Sequence, residues 1–116
     1  MKFKGIIALV DDELTDRVID AARESGATGC TTISSARGEG LQPEKTFFGL
    51  NLEAQRDVIL FIVEQHLSRH ILERIAEVGG FDRQVGSGVA FQFDLEDVVG
   101  LTSQLGTIEE EIGDQI

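Results

Sequence analysis

Two uninterrupted apolar runs, Ile6-Ile7-Ala8-Leu9-Val10 and Val58-Ile59-Leu60-Phe61-Ile62-Val63, restrict this chain more than any other feature. Successive side chains of a strand point to opposite faces, so a strand with water on one side alternates apolar and polar residues. A strand that does not alternate is covered on both sides. The longer run has six residues, far short of the roughly 20 needed to cross a bilayer as a helix. The two runs therefore read as central strands of one sheet, and the fold must cover both faces of that sheet.

The rest of the chain divides around these runs. The first strand reads from Lys2 to Val10, and Asp11 or Asp12 is placed to cap a following helix. Leu14, Val18, Ala21 and Ala22 fall at i, i+4, i+7 and i+8, one apolar stripe, and Gly26 closes the last turn. Thr28 to Ala36, rich in Thr, Ser and Ile, reads as a second strand whose polarity places it at a sheet edge. Arg37-Gly38-Glu39-Gly40 then opens a connection that runs through Gln55, with Phe47 and Phe48 in its middle. Connections of that length in a small domain are usually functional or mobile. After the third strand, Leu67, Ile71, Ile75 and Val78 form a second helical stripe, stopped by Gly79-Gly80. Val85-Gly86-Ser87-Gly88 is a glycine loop leading into a fourth strand, in which Val89, Phe91 and Phe93 alternate to form one buried face. Asp94 to Leu101 leaves room for a helical turn.

This order, βαββαβ, predicts an α+β, ferredoxin-like fold: a four-stranded antiparallel sheet with its first and third strands central and both helices on one face. Two helices leave the other face bare. Another copy of the chain in a closed symmetric oligomer is the economical cover. The alternative is that the long connection or the C-terminal tail folds back over it. The tail suits that task poorly, since residues 94–116 hold seven acids and no base.

At 116 residues the chain makes one domain, 1–101, followed by an acidic tail, 102–116, expected to be flexible. Ten Lys and Arg against 21 Asp and Glu give a formal charge of −11, which disfavours nucleic-acid phosphates and direct binding to anionic lipid. Cys30 is the single cysteine and is expected to be a small buried side chain. With no internal disulfide and no apolar leader at the N-terminus, a cytoplasmic location is expected.

Catalytic motifs are missing: there is no Ser-His-Asp or Cys-His arrangement of recognisable type and no G-x-G-x-x-G. His66-x-x-x-His70, with Glu73 beyond it, is a weak metal pattern: a site needs a third protein ligand, and the apolar stripe uses Leu67 and Ile71 rather than the histidines. It leaves two alternative readings, a divalent-metal-binding trimer in which Cys30 could join, and a small-molecule enzyme using His66 or His70 as acid or base. The glycine loops, Gly38 and Gly40 after an edge strand and Gly86 and Gly88 before the last, are each ordinary turns alone. Together they suggest a small-anion or nucleotide cleft between subunits, because successive backbone N–H groups can cradle an anion and Arg37 can add a bidentate contact.

The element order, the segment Ser25-Gly26-Ala27-Thr28-Gly29-Cys30-Thr31-Thr32, Arg37-Gly38-Glu39-Gly40 and Gly86-Ser87-Gly88 together resemble the P-II nitrogen-regulatory and PII-like signalling proteins over residues 1–101. The resemblance implies a regulatory homotrimer, not an enzyme, that needs no cofactor. It would bind ADP, AMP or ATP as a regulatory ligand in clefts between subunits. It would control a membrane transporter or metabolic enzyme through the loop 37–55, with Phe47 and Phe48 as anchor. Matched to the family's pattern, the ligand residues would be Thr31 or Thr32, Arg37, Gly38, Gly40, Ile62 and the loop Gly86, Ser87 and Gly88. The family's loop lysine stands here as Val89, and its two late arginines fall near Gly100 and Thr102. A triphosphate thereby loses cationic partners, which leaves ADP, AMP or another ligand as open as ATP. With no tyrosine in the chain, regulation by tyrosine uridylylation is excluded, and Gln42 is the one match for the loop glutamine of the 2-oxoglutarate response.

Overall fold

The structure is a computed structural model that describes residues 2–36 and 56–100. Its elements are β1 (Phe3–Asp11), α1 (Thr15–Glu24), β2 (Thr31–Ala36), β3 (Arg56–Glu64), α2 (Gln65–Gly79) and β4 (Gly88–Asp94). The strands form one antiparallel sheet in the order β2-β3-β1-β4. The two apolar runs are thus the central strands, and both helices lie on one face. This is the ferredoxin-like arrangement expected from the order of elements.

The register sorts the apolar side chains into two sets. Ile6 sits opposite Phe61 and Ala8 opposite Ile59. These four, with Val10 and Val63, pack against Val18 and Ala22 of α1 and Ile71 and Ile75 of α2. Each large side chain removed from water in this layer stabilises the subunit by about 1.5–3 kcal/mol. The other set crosses the opposite face in three rows. Ile33, Val58, Leu9 and Val89 make the first row, Thr31, Leu60, Ile7 and Phe91 the second, and Ile62, Gly5 and Phe93 the third. No element covers them among the described residues: Ile33 is 59% exposed, Ile62 44%, Phe91 42% and Phe93 37%.

Gly5 belongs to this face for a steric reason. A Cβ at Gly5 would lie 2.4 Å from the tip of the Phe93 ring, so the ring can lie across the central strand only because the side chain there is a hydrogen.

Several details depart from the sequence reading. The fourth strand alternates as expected, but Phe91 and Phe93 lie on the bare face of the single chain, and Ala90 packs against the helix-side core. Cys30 is exposed rather than buried, because regular pairing in β2 begins only at Thr31. The N-cap of α1 is Leu14, with no side-chain cap. Asp11 instead uses Oδ1 to accept the N–H of Glu13 at 3.0 Å, inside the turn before the helix. In α2 the inward line runs through Ser68, Ile71, Ile75 and Gly79. Leu67 and Val78 flank it, half-buried. Glu64 caps this helix by accepting the N–H of His66 at 2.7 Å, and Gly80, at φ 66°, ends it in the left-handed conformation. Residues 95–100 form no helical turn. Arg37, Gly38, Gly40, Gln42, Phe47, Phe48, Thr102 and the acidic tail lie outside the described residues.

Candidate functional site

The site residues expected from the sequence fall into two groups at opposite edges of the sheet. At the β2 edge, Thr31 is paired with Leu60. A shallow concavity on the bare face is lined by Thr28, Gly29, Cys30, Thr31, Leu60 and Ile62. Alternation separates Thr31 from Thr32, which is paired with Ile59 on the helix side. Thr31 is therefore the threonine that shares a surface with Ile62.

At the β4 edge stands the loop of Gly86, Ser87 and Gly88, with Gly88 paired to Val10. Ser87 is buried, and its hydroxyl donates to the carbonyls of Gly80 and Gln84, each at 3.1 Å. The Ser87 N–H is engaged as well, donating to the Gln84 carbonyl at 3.3 Å, so both donors of Ser87 are used inside the loop. The loop's carbonyls are also engaged: that of Ser87 accepts from the Asp11 N–H at 3.1 Å, and that of Gly86 from Nη1 of Arg56 at 2.7 Å. Gly86 has φ 84°, a conformation in which a Cβ is disfavoured.

Thr31 and Gly88 lie on the outer strands with two strands between them. At about 4.8 Å between strands and 3.4 Å per residue along them, they are about 18 Å apart. One subunit does not bring the two groups into one pocket.

Sequence reasoning passed over Arg56. It is 4% exposed and sits at the start of β3, opposite Asp11 of β1 and Ala36 of β2. It stands between a connection read as ending at Gln55 and an apolar run beginning at Val58, so neither reading took it in. Its burial under the glycine loop is a tertiary fact with no local signal.

The histidines do not assemble a site. His66 is turned onto Glu64, with Nδ1 2.7 Å from Oε1, and His70 is exposed. Among the described residues, no three His, Cys, Asp or Glu side chains are grouped as a metal would require. Nor, among these residues, is any helix long and apolar enough to cross a membrane.

Comparison with known proteins settles the family. The model of the nitrogen regulatory protein P-II family matches residues 3–104. The chain belongs to the P-II family. Members of this family are regulatory proteins, generally trimers that bind partner proteins. Solved structures with the same fold include CPII of Thiomonas intermedia K12 bound to ADP, AMP and acetate. It is 21% identical at a TM-score of 0.65, over 88% of this chain and 96% of that one. CPII bound to ADP, AMP and bicarbonate is similar at 20% identity and a TM-score of 0.61, over 82% and 87% of the two chains. A PII-like signalling protein of Thermus thermophilus is 22% identical at a TM-score of 0.58, over 82% and 91%. No curated protein matches this P-II chain.

Proposed function

We propose that this P-II protein is a cytoplasmic homotrimer that senses an adenine nucleotide, ADP or AMP, in clefts between its subunits. Occupancy of the clefts controls a partner through residues 37–55. The single observation that carries the reading is the split of the site. Thr31 on edge strand β2, with Ile62 on the neighbouring β3, lies on one side of the sheet and Gly86, Ser87 and Gly88 at the other edge, and the face joining them is apolar and bare among the described residues. A second copy set against that face would put the threonine edge of one subunit beside the glycine loop of the next. Two CPII structures of the same fold carry ADP and AMP, which makes these the ligands to try first.

Within such a cleft the chain can offer backbone N–H groups from the glycine loop to a phosphate, and the Thr31 hydroxyl and the backbone near Ile62 to the rest of the ligand. Arg37, Gly38 and Gly40 would complete the site from the start of the partner segment, and Phe47 and Phe48 would anchor the partner, an enzyme or transporter. Because Val89 stands where the family pattern has lysine, a diphosphate or monophosphate is preferred over a triphosphate.

Light scattering of the purified protein should give the mass of three chains. Calorimetry should show one ADP or AMP per chain, with ATP weaker. A single-chain mass at micromolar concentration, or no heat with any of the three nucleotides, refutes the reading.

A further inference from the structure

We infer that Arg56 is the cation that fits the Gly86-Ser87-Gly88 loop to a phosphate group: it acts from behind the loop, as a positioning residue rather than a contact. The inference rests on the nucleotide reading above and adds to it the charge that Val89 does not supply. By alternation Arg56 shares the bare face with Val58, Leu60 and Ile62, the side on which a second subunit would close.

Three observations converge on this guanidinium. It is 4% exposed and donates from Nη1 to the Gly86 carbonyl at 2.7 Å. Among the described residues its counter-charge is incomplete: the Asp11 carboxylate stands 3.8 Å away and is itself 38% exposed. Finally, Nε is buried and makes no hydrogen bond among the described residues. A buried cation with one distant, partly solvated carboxylate favours a further anion nearby, because burial penalises uncompensated charge.

The loop is arranged to receive that anion. With the Gly86 carbonyl held on Arg56 and the Ser87 carbonyl on the Asp11 amide, the oxygens that would repel a phosphate are turned inward. The N–H of Gly86 has no partner among the described residues. The guanidinium also follows the loop closely, since Nη2 lies 4.0 Å from the point where a Gly86 Cβ would be. Removing Arg56 would free the Gly86 carbonyl and strip a unit charge from behind the phosphate. Both effects fall on the phosphate and neither on the nucleoside.

The test uses the full chain and compares AMP with adenosine, which lacks the phosphate, by calorimetry on the unaltered protein, Arg56→Gln and Arg56→Lys. Arg56→Gln should lower the ratio of AMP to adenosine affinity by about tenfold or more, the size expected for loss of one charge a few ångströms from the anion in a partly screened site. Arg56→Lys, which keeps the charge but not the planar fork, should recover part of that ratio. A merely structural role would weaken both ligands alike, so an unchanged ratio in Arg56→Gln overturns the inference and leaves the nucleotide reading intact. If Arg56→Gln does not fold, an unchanged ratio in Arg56→Lys overturns it equally. If the unaltered protein binds neither AMP nor ADP, the nucleotide reading fails, and this inference with it.

Discussion

Replacing Phe91 by alanine tests the assembly on which the proposed cleft depends. Phe91 leaves 42% of its surface exposed on the bare face, which for an aromatic side chain of roughly 200 Å² is about 80 Å² of apolar area. Covered by a neighbouring copy, that area is worth about 2 kcal/mol per subunit at about 25 cal/mol per Å². Three subunits lose about 6 kcal/mol together, a change of about 10⁴ in the trimer–monomer constant. The dissociation midpoint of a trimer varies as the square root of that constant, so the midpoint concentration should rise about 100-fold. Sedimentation velocity over a dilution series reads it directly. The subunit itself should survive, because its core of Ile6, Ile59, Phe61, Ile71 and Ile75 lies on the other side of the sheet; circular dichroism should be unchanged. A midpoint within about threefold of the unaltered protein would mean that the face around Phe91 is not the contact.

Other substitutions probe the subunit. Gly5→Val would drive a side chain into the Phe93 ring, whose atoms come within 2.4 Å of the Cβ position; a loss of about 1–3 kcal/mol is expected in urea unfolding, and no loss would show that the ring is free to leave. Thr15→Val removes the hydroxyl that donates to Asp57 at 2.6 Å in the buried layer, and should cost about 1–3 kcal/mol by the same assay; an unchanged midpoint would mean the pair is not formed. Glu64→Ala deletes the N-cap of α2 and should cost about 1 kcal/mol, read as a lower melting temperature, with a neutral result placing the cap elsewhere.

The fold was legible because its main signal is local. Uninterrupted apolar strands, two helical stripes and the glycines that stop them each declare themselves within a few residues, and chirality restricts their order to one arrangement. What misled was direction. Val89, Phe91 and Phe93 alternate correctly, yet alternation says only that two faces differ, not which of them the helices cover. The helices choose Ala90 and leave the aromatic side chains for the bare face. Cys30 failed for a related reason: a small apolar residue is usually buried, but here it precedes the first paired residue of an edge strand.

The site was legible only where backbone conformation writes itself into composition. Gly86 was visible because a φ of 84° favours glycine, and Gly88 beside it completes the motif. Arg56 was not, because a lone arginine at the end of a polar connection looks like any solvated residue. Its meaning appears only when β1, β3 and the glycine loop meet, placing the guanidinium under the Gly86 carbonyl. On the proposed reading, a chain with valine where the family pattern has lysine can still present positive charge at this loop, from Arg56 on the strand beneath it. A charge in front of the loop can bind several phosphates in turn, whereas one behind it acts through the loop and reaches a single group best. The arrangement therefore favours a ligand with little phosphate, and a protein in which Val89→Lys restored strong ATP binding while Arg56→Gln left AMP binding unaltered would reverse that conclusion.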